Sequence, residues 1–160
     1  FCLVLLVGAS GSGKSHFARR HFSPTQIVSS DAIRAMLTDD ESSQDVNPET
    51  FELLHQIVRV RLAHGRMTVV DATNVQADKR VPVLEIARAA RAPVVAIVFD
   101  YPEPTTQARN ASRRRVVPAH VVREQHEHLQ ASIKRLGEEG VQAIHVFASP
   151  AEAEAASVSH

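Results

Sequence analysis

Short apolar runs alternate along the chain with longer segments of helical periodicity. Runs rich in β-branched residues predict five strands, at residues 3–7, 26–29, 67–70, 94–99 and 143–147. Because these runs are almost continuously apolar, each strand is expected to be buried on both faces. Strands of this kind separated by helices are typical of a parallel sheet that is flanked by helices on both sides. The predicted fold class is therefore α/β.

The segments between the strands predict helices with recognisable starts and stops. Helices are expected at residues 15–21, 31–37, 47–65, 76–91, 103–112 and 118–138, with a short helix or frayed end after residue 150. Asn47 followed by Pro48 is a typical helix start, because asparagine caps free amides and proline fits the first turn. Pro82 is expected to bend its helix or to begin it. No repeat or linker interrupts the pattern, so we predict one domain over residues 1–160.

Composition narrows the function classes. The 160 residues are 44% hydrophobic and 4% aromatic, with no Trp and a formal net charge of zero. A nucleic-acid reader built on aromatic stacking is therefore disfavoured, and any nucleic-acid contact has to rest on a local basic patch. The single cysteine, Cys2, excludes a disulfide framework and favours a cytoplasmic location. The apolar stretch at residues 3–7 is too short to span a membrane, so we expect no membrane partner.

A glycine-rich segment joins the first predicted strand to the first helix. Residues 8–15 read Gly-Ala-Ser-Gly-Ser-Gly-Lys-Ser, which matches the G-x-x-x-x-G-K-[ST] spacing. In this spacing backbone amides surround phosphate oxygens, the lysine reaches the β- and γ-phosphates, and the serine hydroxyl ligates Mg²⁺. The strand–loop–helix context favours this P-loop over a flexible glycine turn. We predict that ATP and Mg²⁺ are bound by Gly8, Ser10, Gly11, Ser12, Gly13, Lys14 and Ser15.

A carboxylate and a cation follow the second predicted strand. Asp31 begins the next helix and Arg34 comes three residues later, so the two side chains share a helical face. We expect the end of this strand to lie beside the P-loop, near the γ-phosphate. A carboxylate there can accept the proton of an attacking hydroxyl, and a cation beside it can hold an anionic acceptor. The alternative is a helix cap with a surface ion pair.

The third predicted strand leads into Asp71, with Ala72 and Asn74 after it. Asp71 is a candidate for holding Mg²⁺, directly or through water, and a strand-end turn with a helix cap is the alternative. P-loop ATPases that hydrolyse water often carry a second acidic residue at this point, where this chain has alanine. No segment resembles the base-specificity motif of GTPases. The sequence therefore disfavours a motor ATPase and a GTP switch.

Arginines cluster near residue 110. Arg109 and Arg113 are four residues apart on one helical face, and Arg114 and Arg115 follow at a helix break. Arginines on a mobile lid can neutralise the charge of a transferring phosphoryl group while water is excluded. We therefore predict a helical lid over about residues 103–138, with Arg109 and Arg113 as its catalytic side chains. The alternative is a solvated basic face.

These segments together resemble a known family. The chain resembles the 5′-hydroxyl kinase domain of bacterial polynucleotide kinase-phosphatases, which act in RNA repair. The resemblance covers almost the whole chain, at residues 8–15, 27–31 with Arg34, 43–45, 62–65, 68–75 and 107–113. The P-loop is generic, whereas Val-Ser-Ser-Asp at residues 28–31 and Val-Val-Asp-Ala-Thr-Asn at residues 69–74 are more discriminating. The run at residues 113–117 departs from the family and leaves any third lid arginine unassigned.

The resemblance implies transfer of the γ-phosphate of ATP to the 5′-hydroxyl of RNA or DNA. By this similarity Lys14 and Ser15 bind phosphates and Mg²⁺, and Asp31 is the general base. Arg34 holds a phosphate of the acceptor strand, and the arginine pair spaced four residues apart belongs to the lid over ATP. The resemblance also implies that this domain is cut from a longer protein, in which phosphatase and ligase-like modules are fused to it.

Two other functions are compatible with the residues. One is a small-molecule kinase that acts on an antibiotic, a sugar or a nucleotide-sugar, which suits the zero net charge and the few aromatic residues. The other is a nucleotide-binding regulatory module without transferase activity. A regulatory module has no need of a base beside the γ-phosphate, so Asp31 argues for a kinase.

Overall fold

The computed structural model describes all of residues 1–160, in which one or two helices separate each strand from the next. The strands are β1 (Leu3–Val7), β2 (Ile27–Ser29), β3 (Thr68–Asp71), β4 (Val94–Phe99) and β5 (Ala143–Phe147). All five predicted strands are confirmed, and no bound differs from the prediction by more than one residue. Burial on both faces explains the apolar runs of β1, β3 and β4, which are buried almost throughout. The expectation that every strand is buried is wrong for β5, which lies at an edge of the sheet and is mostly exposed.

Seven helices connect and follow the strands. They are α1 (Lys14–His21), α2 (Ser30–Thr38), α3 (Asn47–Ala63), α4 (Ala77–Ala89), α5 (Glu103–Ala111), α6 (Ala119–Ile133) and α7 (Pro150–Ala155). None of them combines the length and the apolar character that crossing a membrane requires. Short 3₁₀ turns lie at Pro24–Gln26 and Leu136–Glu139.

Two helical predictions need correction. The long helix expected over residues 118–138 ends at Ile133, and a 3₁₀ turn follows. Gly140 then adopts a φ of 91°, a left-handed conformation that ends helical segments. Helix α4 does not begin at Pro82 but contains it, five residues after the start at Ala77. An early proline removes only one hydrogen bond of the helix, so the helix continues past it.

The five strands form one parallel sheet in the order β2-β3-β1-β4-β5. Strand β3 therefore lies between β1 and β2. The sequence led us to expect the end of β2 beside the P-loop, but it lies one strand away from it. In the register of the sheet Asp71 pairs with Leu6 of β1 on one side and with Ser29 of β2 on the other. The carboxyl ends of these three strands consequently meet at one edge, where α/β sheets bind their ligands.

Helices cover both faces of the sheet. On one face Leu3 and Leu5 of β1 pack with Leu54 of α3 and Leu129 of α6. On the other face Leu6 packs in a smaller cluster with residues of α1 and β4. The fold is therefore an α/β fold with a five-stranded parallel sheet between two layers of helices, as the sequence predicts.

Candidate active site

The P-loop follows β1 and turns sharply into α1. Gly11 and Gly13 have φ values of 88° and 85°, a region of backbone space in which side chains are strained. A Cβ atom on Gly11 would also lie 2.8 Å from the backbone nitrogen of Asn110. Glycine is thus required at this position twice over, by the backbone conformation and by the close approach of α5.

Lys14 is buried at the start of α1, with only 8% of its surface exposed. Its ammonium group donates hydrogen bonds to the carbonyl of Ala9 at 3.0 Å and to Ser12 Oγ at 3.4 Å. Burial lowers its pKa to about 8, an effect that Asp71 and Asp31 oppose and Arg113 reinforces. A buried cation with only neutral hydrogen-bond partners favours an anion such as phosphate.

Ser15 and Asp71 meet beside the P-loop. Ser15 Oγ donates a 2.6 Å hydrogen bond to Asp71 Oδ2, and the Asp71 residue is 6% exposed. Protein sites for Mg²⁺ commonly supply one or two oxygens and leave the remaining positions to water and phosphate. This pair of hard oxygen ligands, placed at the end of the P-loop, fits that requirement. No group of three or more His, Cys, Asp or Glu side chains offers another metal site.

The loop after β3 is tied to the P-loop. The Gly8 amide donates to the carbonyl of Thr73 at 2.9 Å, and Asn74 Nδ2 donates to the carbonyl of Leu6 at 2.8 Å. Asn74 holds this contact with a φ of 53°. These bonds fix the position of Asp71 relative to Ser15, so Asn74 shapes the site through the backbone.

Arg80 supports the same loop from behind, and the sequence does not reveal it. The side chain is fully buried, and its Nη2 lies 2.8 Å from Glu139 Oε2 in an ion pair. Its Nη1 donates to the carbonyl of Asn74 at 2.7 Å and to Ser132 Oγ at 2.9 Å. Arg80 and Glu139 are 59 residues apart, and nothing in the spacing of α4 marks the arginine as buried.

Asp31 lies in the first turn of α2 and does not cap the helix. The cap is Ser29, whose hydroxyl accepts a 3.2 Å hydrogen bond from the amide of Ala32. The Asp31 side chain is 30% exposed and forms an ion pair with Arg34, whose Nη1 lies 2.8 Å from Oδ1. The carboxylate is close enough to raise the pKa of Lys14, although β3 separates β2 from β1.

Arg34 is buried, so the ion pair is not a surface pair. Its Nε donates to Asn47 Oδ1 at 2.8 Å, and its guanidinium lies 5.7 Å from the centre of the Phe51 ring. Burial lowers the pKa of Arg34, and Asp31 opposes that effect. Partners on α2 and α3 together hold this guanidinium in one place.

The arginines of the predicted lid occupy three different environments. Arg109 is exposed and donates from Nε to the carbonyl of Gly11 at 3.2 Å. Arg113 is half-buried and lowers the pKa of Lys14. Arg115 contacts Asp31, with Nη1 at 3.2 Å from Oδ1 and 3.3 Å from Oδ2. Of the last two arginines in the run, Arg115 faces the site and Arg114 is exposed.

Hydrogen bonds between side chains and backbone set this arrangement. Asn110 Nδ2 donates to the carbonyl of Val117 at 2.7 Å, and the Val117 amide donates back to Asn110 Oδ1 at 3.1 Å. These two hydrogen bonds hold the bend between α5 and α6 against α5. Gln125 of α6 accepts a 2.8 Å hydrogen bond from the amide of Ser10, which joins the lid to the P-loop. Helical spacing gave no sign of Gln125 and left open which of Arg114 and Arg115 faces the site, because it says nothing about a bend that tertiary contacts close.

One protein family matches most of the chain. The model of the AAA domain family matches residues 3–136, which include the P-loop, Asp31, Asp71 and the arginine cluster. Among curated proteins, none matches this chain in sequence.

Several solved structures share the fold. A chain of the Pnkp1/Rnl/Hen1 RNA repair complex is 25% identical, with a TM-score of 0.72 over 83% of this chain and 45% of that chain. A gluconokinase from Sinorhizobium meliloti 1021 is 22% identical, with a TM-score of 0.54 over 95% of this chain and 89% of its own. The Mycobacterium tuberculosis APS kinase CysC, solved with AMPPNP and APS, is 19% identical, with a TM-score of 0.54 over 85% and 97%. This chain spans less than half of the repair-complex chain.

Proposed function

We propose that this chain, which belongs to the AAA domain family, is an ATP-dependent P-loop kinase whose acceptor is the 5′-hydroxyl of an RNA or DNA end. The observation that carries the proposal is the position of Asp31, between two guanidinium groups and within electrostatic reach of Lys14. A base flanked by cations suits a hydroxyl that has a phosphate beside it. The likeness to a chain of an RNA repair complex supports a polynucleotide and a role in RNA repair.

In this proposal the P-loop holds the donor. Lys14 exchanges its neutral partners, Ala9 and Ser12, for the β- and γ-phosphates of ATP, which compensate its buried charge. Ser15 and Asp71 hold Mg²⁺, which when bound neutralises charge on the phosphate oxygens. Arg113, close to Lys14, adds positive charge where the γ-phosphoryl group develops negative charge.

Asp31 and Arg34 act on the acceptor. Asp31 accepts the proton of the 5′-hydroxyl while the hydroxyl oxygen bonds to the γ-phosphorus. The bond between the γ-phosphorus and the oxygen that bridges to the β-phosphorus breaks, and ADP leaves with that oxygen. Arg34, fixed by Asn47 and Phe51, holds a phosphate of the acceptor strand. Arg109, at the carbonyl of Gly11, belongs to the lid over ATP.

By the same resemblance, we propose that the full-length protein fuses this kinase to phosphatase and ligase-like modules. The lid over residues 103–138 is proposed to close on the bound nucleotide. Its bonds to the P-loop through Gln125 and Arg109 support that role.

The test is transfer of labelled phosphate from ATP with Mg²⁺ to 5′-OH RNA and DNA oligonucleotides, with gluconate and a free nucleoside as competing acceptor classes. We expect labelled oligonucleotides. Asp31→Asn should lower kcat by about 10²-fold or more while ATP binding persists, because the base is lost and the P-loop residues that hold ATP are unchanged. Asp78→Asn, at an exposed carboxylate on α4, is the matched control and should retain the wild-type rate. Labelling of small acceptors alone, with oligonucleotides untouched, would contradict the polynucleotide assignment.

A further inference from the structure

Two guanidinium groups contact the Asp31 carboxylate. Arg34 uses Nη1 on Oδ1 at 2.8 Å, and Arg115 uses its own Nη1 on both carboxylate oxygens, at 3.2 Å and 3.3 Å. A carboxylate in this state is occupied by donors. A hydroxyl that is to give its proton to Asp31 competes with these donors for the carboxylate oxygen that it approaches.

The two arginines are not held equally. Arg34 is anchored by Asn47 Oδ1 and by the Phe51 ring in addition to Asp31. Arg115 donates its side-chain hydrogen bonds to Asp31 alone, at longer distances. It extends from the bend between α5 and α6, 84 residues away in the chain. Arg115 is therefore the partner that an incoming hydroxyl displaces.

The displaced guanidinium needs a new anion. Around Lys14 and Asp31 the cations Lys14, Arg34, Arg113 and Arg115 outnumber the carboxylates Asp31, Asp71 and Asp40, although the whole chain is neutral. Asp40 is exposed and interacts with Arg115 only through charge, without a hydrogen bond. The Arg115 side chain is 18% exposed, so water compensates its charge only in part. A phosphodiester next to the hydroxyl supplies the anion at the right place, whereas an uncharged acceptor supplies none.

We propose that Arg115 is a specificity-determining residue that moves from Asp31 to the phosphodiester nearest the 5′-hydroxyl and thereby selects anionic acceptors. An uncharged acceptor has to break the pair between Arg115 and Asp31 without replacing it, so the base stays occupied. This inference rests on the proposed function and names the side chain that distinguishes a polynucleotide end from a neutral hydroxyl.

The experiment compares two oligonucleotides that differ at one linkage. Both carry a 5′-hydroxyl, and the first linkage is either a normal phosphodiester or an uncharged methylphosphonate. Wild-type enzyme should prefer the charged linkage in kcat/KM. Arg115→Ala should reduce this preference by about tenfold, chiefly through a higher KM for the charged acceptor, since one charge-assisted hydrogen bond is lost. Its activity on the methylphosphonate acceptor should be unchanged or higher, because Asp31 is then less occupied.

Two further variants make the result decisive. Arg114→Ala removes the same charge from an exposed neighbour and should keep the wild-type preference. Arg115→Gln retains most of the side chain and should reduce the preference as Arg115→Ala does, which covers the case in which the alanine variant folds poorly. Equal losses on both acceptors, or an unchanged preference in both Arg115 variants, would overturn the inference while the kinase assignment stands. Absence of transfer by the wild-type enzyme to any oligonucleotide would overturn both.

Discussion

The two halves of the site are built in different ways. The donor half consists of the P-loop with Lys14 and Ser15, joined by Asp71 from the neighbouring strand, and its titratable groups are buried. The acceptor half consists of side chains from α2 and from the bend before α6, and Asp31 in its centre is 30% exposed. The donor half is thus made by backbone and consecutive residues, and the acceptor half by side chains that can exchange partners. Substitutions should separate the two halves kinetically.

The largest expected effect falls on the donor half. Lys14→Met should lower kcat by about 10²–10³-fold with every acceptor, because it removes a preorganised cation from the transferring phosphates. The KM for ATP should rise as well, while the KM for the oligonucleotide stays close to that of the wild type. Lys79→Met, at an exposed position on α4, is the control and should leave both values unchanged. If Lys14→Met changed only the KM for the acceptor, the two halves of the site would not be kinetically distinct.

The same substitution should stabilise the protein. Burial lowers the pKa of Lys14 to about 8, so charged Lys14 disfavours the folded state at pH 7. Methionine of similar size should raise the free energy of unfolding by about 1–3 kcal/mol at pH 7. This gain should shrink as the pH rises above 8, because wild-type Lys14 then loses its proton. Urea denaturation at pH 7 and at a higher pH measures the gain, and a less stable variant would contradict it.

The next effect belongs to the acceptor half. Arg34→Ala should raise the KM for the oligonucleotide by about 10–100-fold, since charge-assisted hydrogen bonds to a phosphate are lost. The KM for ATP should change little, because Lys14 and Ser15 are not among the contacts of Arg34. Arg59→Ala, on the exposed side of α3, controls for the loss of one positive charge. Steady-state kinetics with each substrate varied in turn shows which half responds.

The donor half was also the more predictable half. The P-loop is a run of eight residues whose spacing alone predicts its conformation, and Asp71 follows directly from the end of a buried strand. Local sequence carries this information because each feature depends on neighbours in the chain. The strands of the sheet were predictable for the same reason, as continuous apolar runs.

The acceptor half depends on distant parts of the chain. Helical spacing correctly grouped Asp31 with Arg34, which lie three residues apart in α2. It favoured Arg109 and Arg113 in the lid and could not choose between Arg114 and Arg115, because the bend that orients Arg115 is closed by Asn110 and Val117. Strand order was likewise out of reach, since no periodicity states that β3 lies between β1 and β2. What sequence patterns miss here is tertiary contact.

The smallest expected effect is a pH dependence that marks the donor half alone. Lys14 of the free enzyme has its pKa lowered to about 8 by burial, so it is charged below that pH and neutral above it. Bound phosphates favour the charged form, so ATP binding above pH 8 must take up a proton. The Kd for ATP should therefore rise by up to about tenfold per pH unit above 8 and stay nearly constant below. Calorimetric titrations in buffers of different ionisation enthalpy count that proton directly.

Arg34→Ala should retain this pH dependence and Lys14→Arg should abolish it, because arginine stays charged throughout. A constant affinity between pH 7 and 9.5 in the wild type would show that the Lys14 charge is compensated before ATP arrives, and the donor half would then be no more preorganised for an anion than the acceptor half.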